Sequence, residues 1–123
     1  MKILYVENHK VFAENVCRQF LLRDSVTLVP SLNTARQLIQ RGEKFDLLLV
    51  DYDLDDGKGD ELVRELRLSG DPILIIGVSS HDDGNAALMR AGATAVCSKM
   101  ELDTIQQVIN NAAHSSRHKP ETD

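Results

Sequence analysis

Two carboxylates, an amide, a hydroxyl and an ammonium mark the points at which apolar runs of this sequence stop. Glu7 and Asn8 follow Ile3-Leu4-Tyr5-Val6, Asp51 follows Leu47-Leu48-Leu49-Val50, Ser79 follows Ile73 to Val78, and Lys99 comes shortly after Thr94 to Cys97. Glu7 with Asp51 supplies the pair of anionic oxygens that a hard cation such as Mg²⁺ takes, and Lys99 with Ser79 supplies donors for an anion. A cation site and an anion site flanking one carboxylate suit phosphoryl transfer, in which positioning and charge neutralisation dominate. That chemistry requires the residues to meet in one place.

A parallel sheet would bring them there. The run Leu47 to Val50 is too short for a helix and reads as a strand buried on both faces, the kind found inside such a sheet. Asp51 then stands at the strand's carboxyl end, where the loops of an open α/β sheet diverge and leave a crevice. Lys2 to Val6 is a second β-rich run, Val26 to Val29 a weaker one ended by Pro30, and Ile73 to Val78 opens after Pro72, where a missing N–H does no harm. Between these runs apolar residues recur at helical spacing: Val11, Phe12, Val16 and Phe20, then Leu32, Ala35, Leu38 and Ile39 between a Ser31 or Asn33 cap and Gly42. A polar loop, Asp55 to Gly59, leads to Leu62, Val63 and Leu66; Ala86, Ala87, Leu88 and Ala91 end at Gly92; Leu102, Ile105, Val108, Ile109 and Ala112 form the last stripe.

Five strands alternating with five helices predict an α/β doubly wound, flavodoxin-like fold: a five-stranded parallel sheet with helices on both faces. Right-handed crossovers leave few topologies. The third and fourth strands are the most apolar and belong inside, whereas Val26 to Val29 belongs at an edge, which selects the order 2-1-3-4-5. Parallel strands put all their carboxyl ends along one edge, so Glu7, Asn8, Asp51, Ser79 and Lys99 converge on one crevice.

At 123 residues, 42% hydrophobic and 27% charged, the chain reads as one globular domain with a full core. The domain is expected over residues 1–113, with a polar, frayed tail at 114–123. A net charge of -5 without a basic patch argues against nucleic acid and anionic membrane as partners. No apolar run approaches the roughly 20 residues that span a bilayer, and the start of the chain lacks a signal-peptide pattern, so a cytoplasmic location is expected. Cys17 and Cys97 are far apart in apolar segments without a Cys or His at ligand spacing, and read as reduced core thiols. His9 and His81 read as solvated loop residues, His114 and His118 as tail.

Plainer readings compete at each position. Asp51 can end a strand merely as a turn-capping acid, Glu7 and Lys99 can form a structural ion pair, and Ser80 is equal to Ser79 by type. Asp51-Tyr52-Asp53-Leu54-Asp55 begins like a calcium loop, but Asp56 stands at the glycine position, Leu62 at the twelfth, and a strand precedes it. Asp51 and Asp53 also have the spacing of a haloacid-dehalogenase phosphatase pair, without that family's following threonine, first-strand placement or cap domain. Glu7 to Lys10 contains no Gly, Ser or Thr to cradle the phosphate of a flavin.

Taken together and in order, the marks resemble a response-regulator receiver domain of two-component signalling, from Lys2 to about Ala113. They are Ile3-Leu4-Tyr5-Val6-Glu7-Asn8, Asp51, Gly59, Ser79-Ser80, Ala91-Gly92-Ala93 and Lys99. The resemblance implies that Asp51 accepts a phosphoryl group from a sensor histidine kinase or phosphotransfer protein, or from a small phosphodonor. It implies that Glu7, Asn8, Asp51 and the backbone carbonyl of Asp53 surround Mg²⁺, that Lys99 pairs with Asp51 or a phosphoryl oxygen, and that Ser79 swings to the phosphate. It further implies a signalling domain rather than an enzyme, which acts on a downstream effector protein or on an output domain outside this chain. The fourth-helix and fifth-helix face is then the binding face and the face for a homodimer.

Four positions depart from the family's pattern. Asn8 replaces the second acid after strand one, Val96 the aromatic switch, Met100 the proline after the lysine, and Asp55 a common loop proline. Met100 disfavours a cis peptide, since a non-proline cis bond costs about 2.5 to 4 kcal/mol, and Asp55 is expected to loosen its loop. A degenerate receiver, binding proteins independently of phosphorylation, is therefore the alternative.

Overall fold

The computed structural model describes residues 1–117. In chain order its elements are β1 (Lys2–Val6), α1 (Lys10–Phe20), β2 (Ser25–Val29), α2 (Leu32–Gln40), β3 (Leu47–Asp51), β4 (Asp53–Leu54), β5 (Gly57–Lys58), α3 (Gly59–Leu68), β6 (Leu74–Ser79), α4 (Asp82–Ala91), β7 (Ala95–Ser98), a 3-10 segment (Lys99–Thr104) and α5 (Ile105–Arg117). Five strands form one parallel sheet in the order β2-β1-β3-β6-β7. This is the expected flavodoxin-like arrangement: the well-buried β1, β3 and β6 lie inside, and the less buried β2 and β7 form the edges.

Alternation along the strands divides the core into two layers. Ile3, Tyr5, Leu47, Leu49, Ile76 and Val78 pack with Ala13 and Val16 of α1 and Ile105 and Ile109 of α5. Leu4, Val6, Leu48, Val50 and Ile75 face the other way, onto Leu32, Leu62, Val63 and Leu88. All five residues of β3 are buried. Each large aliphatic side chain so placed contributes about 1.5 to 3 kcal/mol, so the register of β3, and with it the position of Asp51, is held by far more than a loop could supply. Val6 pairs with Val50, Asp51 with Val78 and Ser79 with Ser98, which aligns the strand exits along one edge.

Ser31, not Asn33, caps α2: its hydroxyl accepts from the Thr34 N–H at 3.1 Å. Three segments differ from the sequence reading. The loop after Asp51 contains a hairpin of two-residue strands, β4 and β5, too short to leave a period-2 pattern. The stripe starting at Leu102 opens as a 3-10 segment with non-helical backbone at Glu101. The expected boundary between domain and tail at 113/114 falls inside α5, which carries His114 and runs to Arg117 with no Gly or Pro to stop it; the rest of the tail, with His118, lies outside the described residues. Cys97 is buried and Cys17 half-buried, both as free thiols. Among the described residues no helix is long and apolar enough to cross a membrane.

Candidate functional site

Glu7, the first residue beyond β1, is 1% exposed. Its N–H donates to the Val29 carbonyl at 3.0 Å, extending the strand pairing by a residue, and its Oε2 accepts from the His9 N–H at 3.3 Å. Asp51, the last residue of β3, is 4% exposed, and its Oδ1 accepts from the Tyr52 N–H at 2.8 Å. α3 begins directly behind it. A Cβ on Gly59 would lie 2.0 Å from the Asp51 carbonyl oxygen, so only glycine lets the helix start there.

Lys99 enters from the end of β7 and joins the two acids. Its Nζ donates to Glu7 Oε1 at 2.7 Å and to Asp51 Oδ2 at 3.0 Å, and it stands 5.1 Å from the centre of the Phe12 ring. One ammonium thus faces two buried carboxylates. Burial and the neighbouring Glu7 carboxylate push Asp51 up to about 6, against the pull of Lys99. Burial works against the charged form of Lys99 as well, but its bonds to Glu7 and Asp51 outweigh this and raise its pKa. Phe12 had been legible only as a helix-face hydrophobe, because a ring stacked on a lysine has the same spacing as one packed in a core.

Ser79 is buried whereas Ser80 is exposed, which separates two residues alike by type. The Ser79 Oγ accepts from the His81 N–H at 3.1 Å. It lies against the first turn of α4, where a Cβ on Gly84 would fall 2.6 Å from that hydroxyl and 3.0 Å from the Tyr52 ring. His9 and His81 are exposed, as expected of loop positions. Val96 is partly buried against the layer that holds Leu88 and Ala93. Met100 is 83% exposed, and all described peptide bonds, Lys99–Met100 among them, are trans.

The hairpin closes the other side of the crevice and corrects the expectation of a loosened loop. Asp55 Oδ1 accepts from Asn8 Nδ2 at 3.0 Å. Asp56 accepts from the N–H groups of Leu32 and Asn33 at 3.0 and 2.9 Å, capping α2 from outside its own segment. Burial opposes the Asp56 carboxylate, yet these backbone bonds prevail and lower its pKa. The Asp53 side chain is exposed and paired with Lys58, whose Nζ also lies 5.2 Å from the Tyr52 ring centre. Asp53 and Lys58 face each other next to the Gly59 N–H to Tyr52 carbonyl bond, so the Asp53 carbonyl points outward from the hairpin.

These groups fit a hard, octahedral cation that keeps several of its waters. Glu7 and Asp51 offer anionic oxygens, the Asp53 carbonyl faces out of its ladder, and Asn8 Oδ1 is buried without a hydrogen-bond partner. Among the described residues no three His, Cys, Asp or Glu side chains gather as a metal cluster, so the donor set is two carboxylates supplemented by neutral oxygens.

The family model for the response regulator receiver domain matches residues 3–110. No curated protein matches the chain at a significant level. Solved structures with the same fold include the receiver domain of Francisella response regulator 1452, at 18% identity over 94% of this chain and 98% of that one, with a TM-score of 0.81. A response regulator receiver domain protein from Methanospirillum hungatei JF-1 aligns at 20% identity, covering 93% and 97% of the two chains, with a TM-score of 0.75. The signal receiver domain of an HD domain-containing protein from Pseudomonas fluorescens Pf-5 reaches a TM-score of 0.82 at 15% identity, covering 96% and 98%.

Proposed function

The chain belongs to the response regulator receiver domain family, and from that premise we propose that it is a phosphoacceptor switch in which Asp51 takes a phosphoryl group from the phosphohistidine of a sensor kinase or phosphotransfer protein. The observation that carries this reading is the triad in which the half-buried Lys99 bridges the buried Glu7 and Asp51 at the sheet edge. A structural ion pair needs one acid per base. Here a second carboxylate is buried with them at the end of the best-anchored strand.

An Asp51 carboxylate oxygen attacks phosphorus in line. The O–P bond forms as the P–N bond to the donor imidazole breaks, and the imidazole nitrogen leaves with the electron pair and takes up a proton. Lys99 exchanges Asp51 for a phosphoryl oxygen while keeping Glu7, and the Ser79 hydroxyl turns from the His81 N–H to donate to another. Preorganised donors of this kind act where charge gathers. Glu7, Asn8, Asp51 and the Asp53 carbonyl are the residues that would hold Mg²⁺, which supplies the positive charge that lets a phosphoryl group approach two acids.

The state of Asp51 is read by a downstream effector protein or an output domain, through the face formed by α4 and α5, which can also support a homodimer. With Val96 in place of an aromatic ring, the response is confined to the segments following Ser79 and Ser98. The phosphorylation-independent reading draws on two features: Asn8 leaves the cation site a carboxylate short, and Val96 stands where the family has its aromatic switch. Intact-mass measurement after incubation with a small phosphodonor and Mg²⁺ separates the two. One phosphoryl mass on the wild type and none on Asp51→Asn is the expected result; an unmodified wild type favours the protein-binding module, and uptake by Asp51→Asn refutes the acceptor assignment.

A further inference from the structure

An asparagine beside two buried carboxylates has a conflict to resolve. Left to itself, the Asn8 amide gains by turning its NH2 group toward Glu7 and Asp51, which would put a hydrogen-bond donor where a cation has to sit. The opposite orientation is present. Nδ2 donates outward to Asp55 Oδ1 at 3.0 Å, and Oδ1 is the buried end without a partner. An ionised carboxylate has acceptors only, so Asp55 can hold the NH2 end and never the oxygen end. Asp55 can reach Asn8 because the β4–β5 hairpin is pinned from its other side, where Asp56 caps α2.

The geometry points to Asp55 as a positioning residue that fixes the Asn8 amide with its carbonyl oxygen toward the cation site, converting a neutral side chain into a usable cation donor. This rests on the Mg²⁺ reading of Glu7, Asn8 and Asp51. Asp55 is exposed, and it acts through Asn8 rather than on the phosphoryl group.

A double-mutant cycle distinguishes orientation from charge. Mg²⁺ affinity is measured by calorimetry at fixed ionic strength for the wild type, Asp55→Ala, Asn8→Asp and the double variant. Loss of the Asp55 charge alone weakens binding in both backgrounds, and at least as much where residue 8 is aspartate, whose repulsion from Asp55 the cation relieves. Loss of orientation adds only where residue 8 is asparagine, because a carboxylate presents oxygen either way, so the factor there should exceed the other by about fivefold or more. A metal-free readout accompanies it: the Asn8 side-chain NH2 signals in nitrogen–proton spectra should move and exchange faster in Asp55→Ala, while backbone signals of the sheet stay in place. Equal factors in the two backgrounds with unmoved Asn8 signals overturn the inference and leave the phosphoacceptor reading standing. No Mg²⁺ binding by either the wild type or Asn8→Asp overturns the cation reading and this inference with it.

Discussion

Each end of the sheet is closed by one long basic side chain, and the two closures differ in what they leave over. At the amino edge, Arg67 from the end of α3 donates to the carbonyls of Gly92, Asp71 and Ile73 at 2.8 Å each and to Thr94 Oγ1 at 3.3 Å. All four acceptors are neutral. At the carboxyl edge, Lys99 is divided between two carboxylates, and the Asn8 Oδ1, one residue beyond Glu7 in the chain, is buried without a partner. Arg67 therefore finishes a structure: every group it touches is satisfied, and nothing is gained by moving it. Lys99 holds a surplus of negative charge in check and leaves room for a further positive group or a transferable one. A half-buried base indicates stability when its acceptors are neutral backbone, and chemistry when it is outnumbered by buried acids.

Removing the two bases tests this difference, and the largest effect is expected at Lys99. Lys99→Met leaves Glu7 and Asp51 buried together without a counter-charge, which should cost about 3 to 5 kcal/mol above neutral pH. Urea unfolding at pH 8 and pH 5 should give a smaller cost at pH 5, because one carboxyl then takes up a proton. A cost independent of pH would mean that the acids are not competing for Lys99. Arg67→Met should cost about 3 kcal/mol by orphaning carbonyls at two loops, with the same cost at both pH values and phosphoryl uptake retained. Loss of uptake in that folded variant would break the separation between the two ends.

Asp51→Asn should stabilise the protein at pH 7, on the order of 2 kcal/mol, by relieving the excess of carboxylates. The sign follows from linkage. The folded-state pKa of Asp51 is raised to about 6 from an ordinary value of 3.8, so between about pH 4 and pH 6 the folded state binds more protons than the unfolded state. This group's contribution to stability is full below pH 4 and is lost as pH rises through 6. Denaturation midpoints of wild type and variant should therefore converge on acidification and separate above pH 6; a constant gap would contradict the raised pKa.

The smallest effect concerns position 8. Asn8→Asp brings a second carboxylate against Asp55 and should cost about 1 kcal/mol in the absence of metal, while tightening Mg²⁺ by roughly tenfold or more. Equal Mg²⁺ affinities would remove residue 8 from the cation site.

The sheet and its order were legible because burial on both faces writes a continuous apolar run, as in Leu47 to Val50, and the acids at the strand ends interrupt such runs abruptly. The convergence of Glu7, Asp51 and Lys99 followed from parallel topology alone. What could not be read were features made by a few residues meeting across long stretches of chain. Two-residue strands carry no periodicity, so β4 and β5 looked like loop. Arg67 sits in a helix where an arginine is ordinary, and only the fold brings Gly92 and Ile73 to it. Asp55 was read for the proline it replaces, because nothing in its neighbourhood announces Asn8, which lies 47 positions away.

The first turn of α4 has no clearance. Gly84 meets the Ser79 hydroxyl and the Tyr52 ring so closely that one added carbon would fall within 3.0 Å of both. In machine terms the helix is seated without a shim, and its rest position is gauged by the rotamer of a single serine. A side chain at position 84 would be driven against that hydroxyl, so the glycine is what lets Ser79 keep its place beside the helix.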